Sequence, residues 1–254
     1  MADAVAQLKS KTHGKDNALN ILAFDSTAKT ASVALVRDGV CVAEFFMNNG
    51  KTHSEILLPM AEDVLSRAHI ALSEIDLFAV TAGPGSFTGV RIGAATVKGL
   101  AFSLEEKKNC VAVSTLEAIA ERLFPLDGIY VPVMDARRGE VYSAIFRAKD
   151  GTLERLTPDR AISLSALGEE LLTLYSGETV RLAGDGYDVA KAALAPLDIR
   201  LAETPIGLRT QNAASAALCA ERAYARGEAV TPTEIAPIYL RLPQAERDRL
   251  NKQN

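Results

Sequence analysis

Ile21-Leu22-Ala23-Phe24-Asp25, then Ser26-Thr27-Ala28-Lys29, then Ser32-Val33-Ala34-Leu35-Val36 read as an apolar strand that ends in a carboxylate, turns and returns. The same reading recurs in the second half of the chain. Residues 129–134 form an apolar run ending at Asp135, Ala136-Arg137-Arg138-Gly139 makes the turn, and residues 141–146 return as one strand. Asp25 and Asp135 therefore hold equivalent places in two halves of a duplicated α/β fold.

Outward from the first turn, Asp38-Gly39 suits a tight hairpin because both residues tolerate positive φ, and it leads into a third strand, Val40–Met47. A helix follows, with Thr52 and Glu55 at capping-box spacing and Ile56, Met60, Val64 and Ala68 along one stripe. Pro59 inside it predicts a kink or a later start. Residues 77–82 form an unalternating, buried strand that runs into Gly83-Pro84-Gly85-Ser86 and a helix reaching about Leu104. A strand at 111–113 and a helix at Thr115–Leu123 complete a βββαβαβα lobe. Phe124-Pro125-Leu126-Asp127-Gly128 interrupts both periods, which divides the chain into a flexible extension (1–18), an N-terminal lobe (19–124) and a C-terminal lobe (125–254). In the second lobe Gly151 opens a third hairpin strand, a helix spans 163–174, and Val180–Ala183 leads into Gly184-Asp185-Gly186. An alanine-rich helix at 212–226 precedes an extended C-terminal arm marked by Pro232, Pro237 and Pro243.

Composition narrows the function. The 254 residues are 48% apolar and 24% charged, enough to bury two cores. A formal net charge of −4 offers no global attraction for a polyanion, so a nucleic-acid contact must be local or supplied by a partner. Cys41, Cys110 and Cys219 are too few and too scattered for a disulfide framework or a cysteine-rich zinc site, and no long uncharged apolar run occurs. The expectation is a cytoplasmic protein.

Several residues could carry chemistry. Asp25 with Ser26 and Thr27, and Asp135 with Arg137, could hold a hydrated metal or orient a phosphate across a cleft; equally, each aspartate could only cap its own turn. Gly83, Gly85 and Ser86 would present helix-terminal amides to an anion, as would Gly184 and Asp185 less specifically, but they lack the Walker lysine and the dinucleotide spacing. Gly89, Gly93, Ala94, Val97 and Ala101 put small residues along one helix face, which implies close approach of another backbone. Its partner is another chain, the domain's own sheet, or the Ile56, Met60 and Val64 stripe of the same lobe. His13, His53 and His69 fall in the extension and at two helix ends, no histidine pair has i, i+4 spacing, and no catalytic residue or metal ligand set is assigned.

Three segments carry a more specific signal: Ile21-Leu22-Ala23-Phe24-Asp25-Ser26-Thr27, Thr52-His53-Ser54-Glu55, and above all Ala82-Gly83-Pro84-Gly85-Ser86-Phe87-Thr88-Gly89-Val90-Arg91-Ile92-Gly93. They closely resemble the bacterial TsaB family of tRNA threonylcarbamoyladenosine biosynthesis proteins. The resemblance covers most of residues 20–243 and is strongest up to about Glu121. It implies the fold of the actin, sugar-kinase and Hsp70 superfamily, with two ribonuclease H-like lobes. It further implies a non-catalytic paralogue of TsaD, the subunit that transfers threonylcarbamoyl to the adenosine beside the anticodon of tRNAs reading codons that begin with A. In that catalytic relative a His-x-Glu-x-His metal motif opens the helix corresponding to Thr115-Leu116-Glu117-Ala118-Ile119; here the histidine positions are Thr115 and Ile119, which cannot replace imidazole.

The resemblance also implies pairing with TsaD, or with a second copy when alone, through helices carrying Ile56, Leu57, Met60, Val64, Gly89, Arg91, Gly93 and Val97. The P-loop ATPase TsaE would join where the paralogues meet, and tRNA would be met only indirectly. No cofactor is implied beyond weak ATP or ADP binding in the cleft. The rival is an ATP-dependent phosphotransferase or a metallopeptidase-like (glycoprotease) hydrolase using Asp25, Asp135 and the glycine loops.

Overall fold

A computed structural model describes residues 18–50 and 52–241. Almost all of the expected N-terminal extension, with His13, lies outside the described residues, as does Pro243. The first lobe runs β1 (Asn20–Asp25), β2 (Ala31–Arg37), β3 (Val40–Met47), α1 (His53–Ala68), β4 (Leu77–Gly83), α2 (Phe87–Phe102), β5 (Asn109–Ser114) and α3 (Thr115–Leu123). Its sheet has the order β3-β2-β1-β4-β5, with β1 antiparallel to β2 and parallel to β4. β1, β2 and β4 are buried almost throughout, which is why they read as continuous apolar runs.

The second lobe contains β6 (Gly128–Arg137), β7 (Glu140–Ser143), β8 (Phe146–Lys149), β9 (Thr152–Arg155), β10 (Arg160–Ser163), α4 (Leu164–Leu174), β11 (Val180–Ala183), α5 (Tyr187–Leu194) and β12 (Leu201–Ala202), and α6 (Ala213–Ala225) follows. Its sheet order, β10-β7-β6-β11-β12, repeats the first if β10 stands for the third strand. This differs from the sequence expectation. The single strand expected at 141–146 is broken into β7 and β8, which keep one register against β6 (Val133↔Ser143, Tyr130↔Phe146). The break falls opposite Pro132, which has no N–H to give the ladder. The strand after Gly151 is β9, which among the described residues pairs only with β8, and β10 takes the outer place beside β7. The short α5 and β12 were not expected.

The expected capping box at Thr52 is also absent. Thr52 occupies the N-cap but its hydroxyl makes no cap bond; its carbonyl accepts from Glu55 N–H at 3.0 Å. Pro59 does not delay the helix, which begins at His53, and His69 closes it in a left-handed conformation (φ 53°).

Among the described residues four cores hold this frame. α1 and α2 cover one face of the first sheet around Phe24, Val33, Leu35, Phe78 and Val80. The other face, carrying Ile21, Ala34, Val36 and Leu77, is covered by α6, whose alanines at 213, 216, 217, 220 and 223 let the helix lie close. Thus a helix near the C-terminus packs on the N-terminal sheet. α4 and α5 cover the second sheet. α3 is wedged between the lobes, with Leu116, Ile119, Ala120 and Leu123 against Tyr130, Met134, Phe146 and Ala183.

Candidate functional site

Both strand-end carboxylates lie at the lobe junction, in different surroundings. Asp25 is 1% exposed. Its carboxylate accepts from Thr27 N–H at 3.3 Å and from the Thr27 hydroxyl at 3.2 Å, and it forms no ion pair among the described residues. Burial pushes its pKa from the usual 3.8 up to about 6, opposed by hydrogen bonds from Thr81 and Thr27 and slightly reinforced by the charge of Asp185. Gln211, also buried, donates from Nε2 to the Thr27 hydroxyl at 3.5 Å, while its Oε1 has no partner among the described residues.

The glycine motif seals this turn. A Cβ at Gly85 would lie 2.4 Å from the Thr27 carbonyl oxygen, one at Gly89 2.0 Å from that of Ser26, and one at Gly93 2.7 Å from Ser26 Oγ. Only glycine lets α2 rest directly on the turn backbone. The Ser26 hydroxyl donates to the Gly89 carbonyl at 2.8 Å, and Ser86 N–H donates to the Thr27 carbonyl at 2.7 Å. Ser86 Oγ caps α2 by accepting from Gly89 N–H at 3.2 Å. Gly83 sits under the C-terminal arm, 2.5 Å from the Ile238 carbonyl oxygen at its Cβ position. The Ser86 and Gly89 amides that would cradle a phosphate are therefore already bonded within the chain.

In the second lobe Asp185 Oδ1 accepts from Asp135 N–H at 3.0 Å, and Asp135 Oδ1 accepts from Arg137 N–H at 2.8 Å. Arg137 also lies 3.6 Å from the Asp135 carboxylate, with its side chain 80% exposed. Desolvation within the junction raises the Asp185 pKa and the Asp135 charge adds to it, against the Asp135 N–H bond and the charges of Arg137 and Lys29. Gly184 N–H donates to the Arg209 carbonyl at 2.6 Å and Gly186 N–H to that of Val133 at 3.0 Å, so these amides are engaged too. The structure thus gathers Asp25, Ser26, Thr27, Gly85 and Ser86 into one cluster, and Asp135, Arg137, Gly184 and Asp185 into another that faces it.

The helix wedged between the lobes has its own polar end. Thr115 and Ile119 are fully buried. Glu117 pairs with Arg155 of β9 at 3.1 Å, Arg155 pairs also with Asp159, and Ser114 donates to Asp159 while capping α3 through Glu117 N–H. Sequence reasoning missed Arg155, Asp159 and Gln211; nothing local marks pairs so far apart in the chain. Among the described residues no group of three or more His, Cys, Asp or Glu converges as a metal site would require.

Of the residues expected at a partner interface, Ile56, Leu57, Met60, Val64 and Val97 belong to the core of their own lobe, at 8% exposure or less. Gly89 and Gly93 face Ser26. Arg91 alone is on the surface, where its Nε donates to the Tyr239 hydroxyl at 2.8 Å and its guanidinium lies 3.9 Å from the Phe87 ring centroid. The outward faces of α1 and α2 instead present Leu58, Thr88, Ala95, Gly99 and Phe102. The arm has no regular secondary structure over 235–239: Ile235 is buried in the first core and Ile238 N–H donates to the Ala82 carbonyl at 2.7 Å. It then reaches the second lobe, where Arg241 pairs with Glu140.

Two lobes of strand order 3-2-1-4-5, joined through a helix and meeting at paired strand-end carboxylates, define the actin, sugar-kinase and Hsp70 class of fold. Residues 47–246 match the family described as TsaD, tRNA N6-adenosine threonylcarbamoyltransferase. The tRNA threonylcarbamoyladenosine biosynthesis protein TsaB of Escherichia coli K12 is 30% identical over 225 residues, 88% of this chain and 95% of that protein. TsaB of Bacillus subtilis is 37% identical over 58% of this chain and 63% of its own length, just under two thirds. The structure of YeaZ from Pseudomonas aeruginosa is similar with a TM-score of 0.71 and 29% identity, over 87% of this chain and all of that one. The chain belongs to the TsaB family, within the reach of the broader TsaD family. Among the described residues no helix is long and apolar enough to cross a membrane.

Proposed function

We propose that this chain is a non-catalytic subunit that supports threonylcarbamoyl transfer to the adenosine beside the anticodon, with a TsaD-type enzyme performing the chemistry in the cytoplasm. The observation that carries this reading is the fate of α3. Thr115 and Ile119, where the catalytic relative has histidines, are buried in packing, and Glu117 is held by Arg155. No ligand set remains there for a metal to be gripped. The hydrolase and phosphotransferase reading is disfavoured by Asp25, whose 1% exposure keeps it from any substrate. The Ser86, Gly89, Gly184 and Gly186 amides are bonded internally, so ATP or ADP binds at most weakly; calorimetry on the isolated chain checks this, and tight stoichiometric binding would contradict it.

Docking of TsaD, or of a second copy when TsaD is lacking, falls to the outer surface of α1 and α2, and TsaE joins at the resulting junction. Because Ala95 is exposed on α2 and Val97 is fully buried, the two positions separate docking from folding. Ala95→Arg leaves the melting temperature near that of the parent and abolishes co-purification with TsaD, whereas Val97→Arg unfolds the lobe. Full retention of the complex by Ala95→Arg would sink this choice of face.

A further inference from the structure

We propose that the hairpin tip Arg137-Arg138, with Lys29 across the lobe junction, is a contact site for the phosphate backbone of RNA. The inference rests on the tRNA-modification reading above but adds a direct contact that this reading does not require. It starts from backbone conformation. Arg137 (φ 67°), Arg138 (φ 59°) and Gly139 (φ 77°) are all left-handed, an arrangement that hairpins usually reserve for asparagine and glycine. Two arginines hold it here at an exposed tip, where packing does not demand them.

The surroundings orient the pair outward. Asp135 ties down the turn from beneath by accepting Arg137 N–H and standing 3.6 Å from its guanidinium, which remains 80% exposed. Arg138 makes no hydrogen bond or ion pair among the described residues, and Lys29 is exposed on the opposing turn, close enough to Asp185 for its charge to act there. Guanidinium groups meet phosphate oxygens in a bidentate fork. A nucleotide would need backbone amides and walls, but the Ser86, Gly184 and Gly186 amides are bonded internally and the tip is open. An open cationic tip fits a strand of phosphates passing over it. With a chain charge of −4 the contact is local and weak, and supplements whatever a partner contributes.

The test uses the full chain and fluorescein-labelled tRNA, with anisotropy followed from 50 to 200 mM salt. Arg137→Ala with Arg138→Ala raises Kd about tenfold at the lowest salt and reduces the slope of log K against log salt by about one to two, as expected for two lost phosphate contacts. Arg137→Lys with Arg138→Lys keeps the slope. Arg138→Gly removes one charge while easing the backbone, so it melts higher than the parent and still loses about one unit of slope. Equal Kd and slope in the double alanine variant, no tRNA binding by the parent, or complete competition by ATP at matched phosphate concentration would each overturn the site. Modification activity of the reconstituted system, measured on the same preparations, separates the two claims: continued dependence on this chain with unaltered RNA binding defeats this site alone.

Discussion

At the end of β1, Asp25, Ser26 and Thr27 lie buried beneath α2, whereas at the end of β6 Asp135 is only half-buried and Arg137 and Arg138 stand at the surface. The duplicated strands begin alike and are covered differently because the glycines that bring the next helix close meet them at different points. Gly85 and Gly89 press on Thr27 and Ser26, after the carboxylate. Gly184 presses on Val133, with a Cβ position 2.0 Å from the Val133 oxygen, and Gly186 reaches no further than the Asp135 amide, 3.1 Å from its Cβ position. A shift along the strand leaves one turn sealed and the other open. The sealed half serves packing, and the open half retains charge that can meet a partner.

The largest effect that would break this comparison is at Gly89. Gly89→Ala places a methyl group 2.0 Å from the Ser26 carbonyl oxygen. It should cost about 3 kcal/mol or more in urea unfolding. Gly139→Ala, with nothing within 4 Å but φ at 77°, should cost only about 1 kcal/mol. Equal costs would remove the distinction between the turns.

Asp25 comes next. Burial raises its pKa from 3.8 to about 6, so the folded state holds the proton better than the unfolded chain does. Its stabilising contribution is complete below pH 4 and is lost as pH rises towards 6, by about 2–3 kcal/mol. Asp25→Asn abolishes this dependence, so melting temperatures of variant and parent should diverge in the variant's favour between pH 4 and 7. Parallel curves would show that the carboxylate is not desolvated as described.

Arg138→Gly sharpens the other side. Relief of a left-handed arginine (φ 59°) should stabilise the fold by about 1 kcal/mol, raising Tm by about 2–4 °C. The smallest effect is at Glu117, whose pair with Arg155 is partly exposed on both sides. Glu117→Gln should cost less than about 1 kcal/mol and leave reconstituted modification unchanged. A large loss of modification with an intact fold would give Glu117 a direct role in the chemistry.

Much of this was legible in the sequence. The repeated apolar run ending in aspartate revealed the duplication, and Val40–Met47, marked by the Asp38-Gly39 turn, and Thr115–Leu123 stand where they were expected. What the sequence could not tell was which surface covers a stripe. Ile56, Met60 and Val64 show the same spacing whether they face their own sheet or another protein, and they face the sheet. Gly89 and Gly93 did signal close approach of a backbone, but the neighbour is Ser26, more than sixty residues earlier. The α5 helix and β12 are too short to leave a period. Glu117 with Arg155, Ser114 with Asp159, and Phe87 with Tyr239, whose rings stack at 4.9 Å, are long-range pairs with no local signature.

The most direct test of the supporting role is threonylcarbamoyl transfer to tRNA, assayed from the purified adenylate with this chain alone, with a TsaD-type enzyme and TsaE, and with all three. Turnover is predicted only when the TsaD-type enzyme is present, and is predicted to fall sharply when this chain is left out. Transfer by this chain alone would contradict the account.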